Sequence, residues 1–305
     1  MGQKMNKDII VVGSVAFDDI ETIKGRHNRL LGGSGVYFSL ASSLFTKTHL
    51  IGIVGDDFNQ DDIEMLHAKS ISTNYLVHEK GKTFSWGGKY SNDFSHRDTL
   101  FTELGVFQDF KPIIDTSQLD KPILFLANIQ PSLQMSVLNQ TDNASLIVMD
   151  TMNLWIDNDY DELIEVIKKT DILLINDEEI MQLTNETDIL LAANKLLDLG
   201  LNYIIIKQGA KGASIISSDT TTPTFIPAVP NIDVFDPTGA GDSFAGGFLG
   251  HIALNTELDI INAVKYGTAL ASYTVSAFGI NGIKNLELDN IKKRVKLIED
   301  LMRDF

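Results

Sequence analysis

The stretch DILLINDEEIMQLTNETDILLAANKLLDLGLNYIIIK, residues 171–207, sets the architecture. Residues 172–176 and 203–207 are short, continuous apolar runs, and between them 177–183 and 189–199 carry helical patterns. Short apolar strands separated by helices are expected of a parallel sheet covered on both faces, because each strand is then buried on both sides. The rhythm extends outward through the chain. Strand-like runs fall at 9–13, 50–55, 123–127 and 145–150, and helical patterns at 33–45, 61–69, 131–138 and 160–169. The expected fold is α/β, a doubly wound, mainly parallel sheet flanked by helices.

Two regions break this rhythm. Residues 17–31 and 74–107 are polar and aromatic, with partial period-two alternation: Thr83, Ser85 and Gly87 stand against Phe84, Trp86 and Gly88. Such alternation predicts strands with one wet face, outside the main sheet. They read as a small β-lid, although edge hairpins with no role give the same pattern. The last third reads as helical. Ile260, Ala263, Val264, Gly267, Leu270, Ala271 and Thr274 keep i, i+3, i+4 spacing, and 288–302 forms a closing amphipathic helix. No linker rich in Pro, Gly or Ser divides residues 1–305, so one domain carrying its lid is expected.

The chain has no cysteine, which excludes disulfides and thiolate metal sites. Residues 1–7 are polar and lack the apolar core of a signal peptide, and no apolar run approaches the roughly 20 residues needed to span a bilayer. A cytoplasmic protein with no membrane partner is the expectation. A net charge of −16 argues against nucleic acid, whose phosphates call for a basic face. Any nucleotide must then be held by local backbone N–H groups, a few lysines and a metal ion.

The chemistry concentrates in residues 235–248, FDPTGAGDSFAGGF. The small residues Gly239, Ala240 and Gly241 let successive N–H groups converge, and a helix expected over 242–254 turns its positive end to the same point. Together they form an anion site suited to the charge that moves in phosphoryl transfer. Asp242 lies on the first turn of that helix. A helix cap is the bland reading. Yet a carboxylate beside an anion nest repels the anion, whereas a base that takes a proton from an attacking hydroxyl belongs there.

The run Asp236-Pro237-Thr238-Gly239-Ala240-Gly241-Asp242-Ser243-Phe244 resembles the C-terminal signature of the PfkB/ribokinase family of carbohydrate and nucleoside kinases. The resemblance implies a ribokinase-like fold, ATP and Mg²⁺ as cofactors, Asp242 as base, and an anion hole at Gly239, Ala240 and Gly241. Further positions agree along nearly the whole chain. Asp18, after Val11-Val12-Gly13, resembles the family's substrate-hydroxyl ligand. Gly32 and Gly33 resemble the Gly-Gly pair that lets substrate approach the backbone. Asn176 and Glu179 resemble an Asn-x-x-Glu motif organising phosphate and, indirectly, Mg²⁺; a helix start explains them equally well. Lys207, Gly209 and Gly212 resemble the strand-turn flanking the nucleotide, though a plain hairpin turn has the same pattern.

Asp236 and Thr238 match positions that bind a monovalent cation in some members, so K⁺ is implied, with a turn-forming role as the alternative. Lid strands often pair between subunits in the family, which implies a homodimer. One departure stands out: where many members place an Asn for the sugar, Tyr37 occurs. Its larger ring has one hydroxyl and can stack on a substrate, against ordinary ribose specificity. Trp86 supplies an apolar wall over a base or sugar face, or else a core or interface residue. The expected acceptor is the hydroxyl of a sugar-like molecule, with a nucleoside as the alternative.

Rival classes lack their residues. Gly13-Ser14-Val15-Ala16 is not G-x-G-x-x-G, no P-loop or H-E-x-x-H occurs, and the six histidines show no metal-ligand pairing. A non-catalytic sugar- or nucleotide-binding descendant of a kinase would be marked by loss of the base, and Asp242, Asn176 and Glu179 are intact.

Overall fold

The computed structural model describes residues 6–255 and 257–303; most of the polar lead, 1–5, lies outside them. Nine strands make the main sheet: β1 (Ile9–Val12), β4 (Thr48–Val54), β5 (Ile71–His78), β8 (Ile123–Leu126), β9 (Leu146–Asp150), β10 (Ile172–Asn176), β11 (Tyr203–Lys207), β12 (Gly212–Ser217) and β13 (Thr220–Pro227). Their order is β13-β12-β11-β10-β9-β8-β1-β4-β5. From β5 to β11 every pairing is parallel, and β12 and β13 add an antiparallel edge. The continuous apolar runs arise because alternate residues serve opposite cores. Ile9 and Val11 of β1 join one cluster, Ile10 and Val12 the other.

The first core is capped by α1 (Ser34–Ser42), α8 (Ala240–Ala253), α9 (Ile260–Thr274) and α10 (Leu288–Arg303), through Phe38, Phe248, Leu270 and Ile291. On the other side α3 (Pro131–Leu138), α5 (Tyr160–Ile167), α6 (Asp177–Thr184) and α7 (Ile189–Leu197) bury Val137, Leu163, Ile180 and Ala192. The chain winds one way from β1 through β4 to β5, then returns to β8 on the other side of β1. Sites in such sheets form at the carboxyl ends of strands near this reversal.

A second sheet has the order β3-β2-β6-β7, with β2 (Ala16–Thr22), β3 (Gly25–Gly32), β6 (Phe84–Tyr90) and β7 (Arg97–Glu103). It accounts for most of the expected lid and corrects its bounds. Residues 74–78 belong to β5, which pairs parallel with β4 in the main sheet, and 105–109 form a 3₁₀ turn. An edge strand also has one wet face, so β5 carries the same alternation as a lid strand. The hairpin β12–β13 and the short helix α4 (Asn153–Asn158) were not expected from the pattern.

Candidate active site

The carboxyl ends of β9, β10 and β11 bring Asp150, Asn176 and Lys207 to one edge of the sheet, with Asn176 opposite Lys207 and Asp150 opposite Leu174. Helix α8 begins above them. Its N-cap is Gly239, at φ 74, and no side chain caps it, so the helix start is built from backbone alone. That φ lies in the left-handed region open to glycine, and a Cβ there would overlap the Tyr37 ring. A Cβ on Gly241 would stand 3.3 Å from Lys207 Nζ, so the turn and the amine are in close approach. The turn through Ala240 is therefore a cradle lined by main chain and one ammonium. Such a cradle fits a phosphate.

Asp242 sits on the first turn of α8. Burial pushes its carboxyl up to about 7; the Asp150 charge adds to this, and Lys207 opposes it. Asp18, on β2, is buried, and burial pushes it up to about 8, with Asp236 and Asp242 adding and a Gly33 backbone hydrogen bond opposing. Gly32 leaves the room that Asp18 Oδ2 fills, and Gly33, at φ 91, starts α1. Tyr37 follows on α1, 1 % exposed, its ring against Gly239 and its hydroxyl without a partner among the described residues. Burial, then the charges of Asp18 and Asp236, hold that phenol well above its ordinary range. The position expected to face an acceptor thus lies beneath the anion turn, not on an open wall.

Asn176 and Glu179 form a full capping box at the start of α6. Asn176 Oδ1 accepts from the Glu179 amide (2.7 Å) and Glu179 Oε2 from the Asn176 amide (3.0 Å). The helix-start reading therefore holds here, and it coexists with a site position. Burial pushes Glu179 up to about 7, against the pull of Lys207 and with a push from Asp150. Lys207 Nζ lies 2.6 and 2.9 Å from the two oxygens of Asp150. Burial works to lower its pKa, but Asp150 and Glu179 outweigh it and the amine stays above its ordinary value. No three His, Asp or Glu side chains among the described residues converge as a metal-ligand set. A lone carboxylate such as Glu179 would suit only an outer position toward a Mg²⁺.

A family model for pfkB family carbohydrate kinases matches residues 6–285. The chain belongs to that family. It is a kinase of that family, a phosphotransferase acting on a hydroxyl group. It is 27% identical over 279 residues to a cytidine kinase of Thermococcus kodakarensis, covering 89% of this chain and 97% of that one. With a nucleoside kinase of Methanocaldococcus jannaschii it shares 24% over 295 residues, 92% and 93% of the two chains. The crystal structure of the nucleoside kinase from that organism superposes with a TM-score of 0.78 at 23% identity, over 97% of this chain and 99% of that one. A fructokinase from Vibrio cholerae does so at 0.81 and 16%, over 96% and 100%. These superpositions carry the fold: a mostly parallel sheet between helices, with a separate small sheet.

In this kinase the remaining motif residues are placed as follows. Asp236 is 1 % exposed; its Oδ1 accepts from the Thr238 amide and its Oδ2 from the Gly279 amide, both at 2.9 Å. Both bonds shape the turn. Thr238 Oγ1 lies 3.0 Å from Tyr90 Oη, which joins the small sheet to the anion turn. Gly209 and Gly212, at φ 54 and 128, shape the β11–β12 hairpin, where Gly209 is exposed. Trp86 pairs in register with Asp18 across β6 and β2, so their side chains share one face of the small sheet. The indole lies over Gly88, where a Cβ would overlap it, and Arg97 stands 5.1 Å from its centre.

Sequence reading missed Asp150, Tyr90 and Arg97. Asp150 had a signal: a carboxylate ending an apolar strand stands at the edge where parallel sheets place their sites. Tyr90 and Arg97 had none, because their neighbours Thr238 and Glu179 are distant in sequence.

Proposed function

We propose that this chain transfers the γ-phosphoryl group of ATP to a hydroxymethyl oxygen of a small acceptor, with Asp242 as the base. The observation that carries this reading is the place of Asp242: on the first turn of α8, behind an uncapped glycine turn, with burial pushing its acid up to about 7. A carboxylate so poised accepts a proton near neutral pH. Asp18 and the Gly32-Gly33 main chain hold the acceptor. Its oxygen bonds to phosphorus as its proton passes to Asp242 and the bond from phosphorus to the ADP oxygen breaks. Gly239, Ala240 and Gly241 hold the charge on the migrating group. Glu179 would help hold a Mg²⁺, which would supply positive charge to the donor phosphates when bound. Lys207, Gly209 and Gly212 flank the donor, the small sheet acts as lid, and Asp236 and Thr238 would hold a K⁺, whose charge would support the turn. We place the protein in the cytoplasm and assign the free edges of the small sheet to pairing with a second copy.

Asp242→Asn, followed by ADP release, tests the assignment. Turnover should fall roughly 10²- to 10⁴-fold with nucleotide affinity near normal; near-full kcat would sink it.

For the acceptor, a nucleoside is favoured over a free sugar. Trp86 stands over Gly88, on the same face of the sheet as Asp18, which suits a planar base. In an acceptor screen over pentoses, hexoses and nucleosides, nucleosides should give the highest kcat/KM. Trp86→Ala should cost them about 1–3 kcal/mol, the usual worth of base stacking, and cost pentoses little. Preference for a free pentose would return the choice to sugars.

A further inference from the structure

Lys207 and Asp150 end strands β11 and β9 on either side of β10, and their ion pair spans the end of the strand between. The two partners are held unequally. Asp150 is 3 % exposed; its Oδ1 also accepts from the Thr151 amide (2.8 Å), and its carbonyl accepts from Gln134 Nε2 (3.0 Å). The Lys207 ammonium donates only to Asp150 among the described residues. A rigid carboxylate therefore holds the tip of a flexible stem. That tip lies 3.3 Å, and Asp150 Oδ2 3.9 Å, from where a Cβ on Gly241 would be, so the pair rests against the turn that receives phosphate.

A purely structural role explains this poorly. A buried ion pair adds little stability over apolar residues of like volume, and this one sets a carboxylate beside an anion cradle and near a second carboxylate. We propose that Asp150 is a positioning residue that stands in for phosphate, holding the Lys207 ammonium at the cradle until a donor phosphate displaces it. Lys207 then contacts the donor's terminal phosphates, the β-phosphate that ADP retains included, beside the Gly239–Gly241 amides, a charge-assisted bond to a better anion. Lys207 is thereby a catalytic residue, and Asp150 acts through it. The inference rests on the kinase reading above and refines its anion site.

The pair also faces Asp242. Asp150 from β9 raises that carboxyl and Lys207 from β11 lowers it, while the Asp242 charge in turn raises Asp18 on β2 and Tyr37 on α1. Removing the Asp150 charge should move the acid limb of the kcat/KM profile to lower pH, and removing the Lys207 charge should move it higher. A pair that does not face the base moves neither limb.

The test is Asp150→Asn and Lys207→Met in the full chain, with melting curves as a fold control. ADP binding without Mg²⁺ should tighten or hold in Asp150→Asn while kcat drops about 10-fold or more. In Lys207→Met both should worsen, by roughly 10- to 100-fold, as expected for loss of a charged hydrogen bond. If Lys207→Met does not fold, the neutral pair Asp150→Asn with Lys207→Gln leaves no lone buried charge and should show the weakened ADP binding. Limbs that stay fixed in both single variants, or ADP binding that weakens equally in both, overturns the proposal. Absence of wild-type turnover with any acceptor would instead sink the kinase reading, and ADP binding would still judge the pair.

Discussion

Asp18 and Asp242 are carboxylic acids that burial makes reluctant to ionise, up to about 8 and about 7 respectively, and Glu179 is pushed up to about 7 in the same way. A carboxyl whose folded pKa lies above its unfolded value, about 4, binds its proton more tightly in the folded state. Its contribution is complete below pH 4 and is lost as pH rises through 7 to 8. In the proposed mechanism catalysis by Asp242 has the opposite sign, because a base works only after losing its proton. Between pH 5 and 8.5 the melting temperature of the ligand-free protein should fall while kcat/KM rises. Calorimetry and ADP release at matched pH check this, and a melting temperature that climbs with activity would refute the burial argument. Tyr37 shows what residue identity alone leaves open. Its alignment suggests a substrate contact, yet it lies 1 % exposed against Gly239, and only packing reveals that.

At the scale of elements, the start of α8 matters most. Its first turn has no side-chain cap, and Gly239 is pinned between a left-handed backbone and the Tyr37 ring of α1. Gly239→Ala should therefore lose at least the roughly 1–2 kcal/mol that a non-glycine residue needs in that region, and more from the overlap. Melting curves would register the loss, and turnover should fall with it. An unchanged melting temperature would show that α1 does not support the turn. Helix α6 shows one motif serving twice: Asn176 and Glu179 satisfy the first turn of their own helix while the Glu179 carboxyl faces Lys207. Strands separated by helices were legible because a doubly covered parallel strand is apolar throughout. Strand β5 was not, because an edge strand and a lid strand share one wet face.

For the whole molecule, a net charge of −16 should repel nucleotides until they reach the local cradle. Added salt screens that repulsion, with a Debye length of about 10 Å at 0.1 M. The association rate of ADP should then rise between low salt and about 0.15 M, the reverse of a basic nucleotide-binding protein. Stopped-flow binding of a fluorescent ADP analogue reads this directly; a rate that falls with salt would mean that the cradle, not the net charge, governs approach.

Local residue order alone determined the alternation of buried strands with helices, the glycine-rich turn and the carboxylate following it, because these depend on neighbours within a few positions. Tertiary structure decided which distant groups meet there. Asp150 reaches Lys207 across 57 residues of chain, Tyr90 reaches Thr238 across 148, and Trp86 faces the same way as Asp18 only through strand pairing. Proton affinities followed in the same way, because desolvation and opposing charge exist only once those segments pack together.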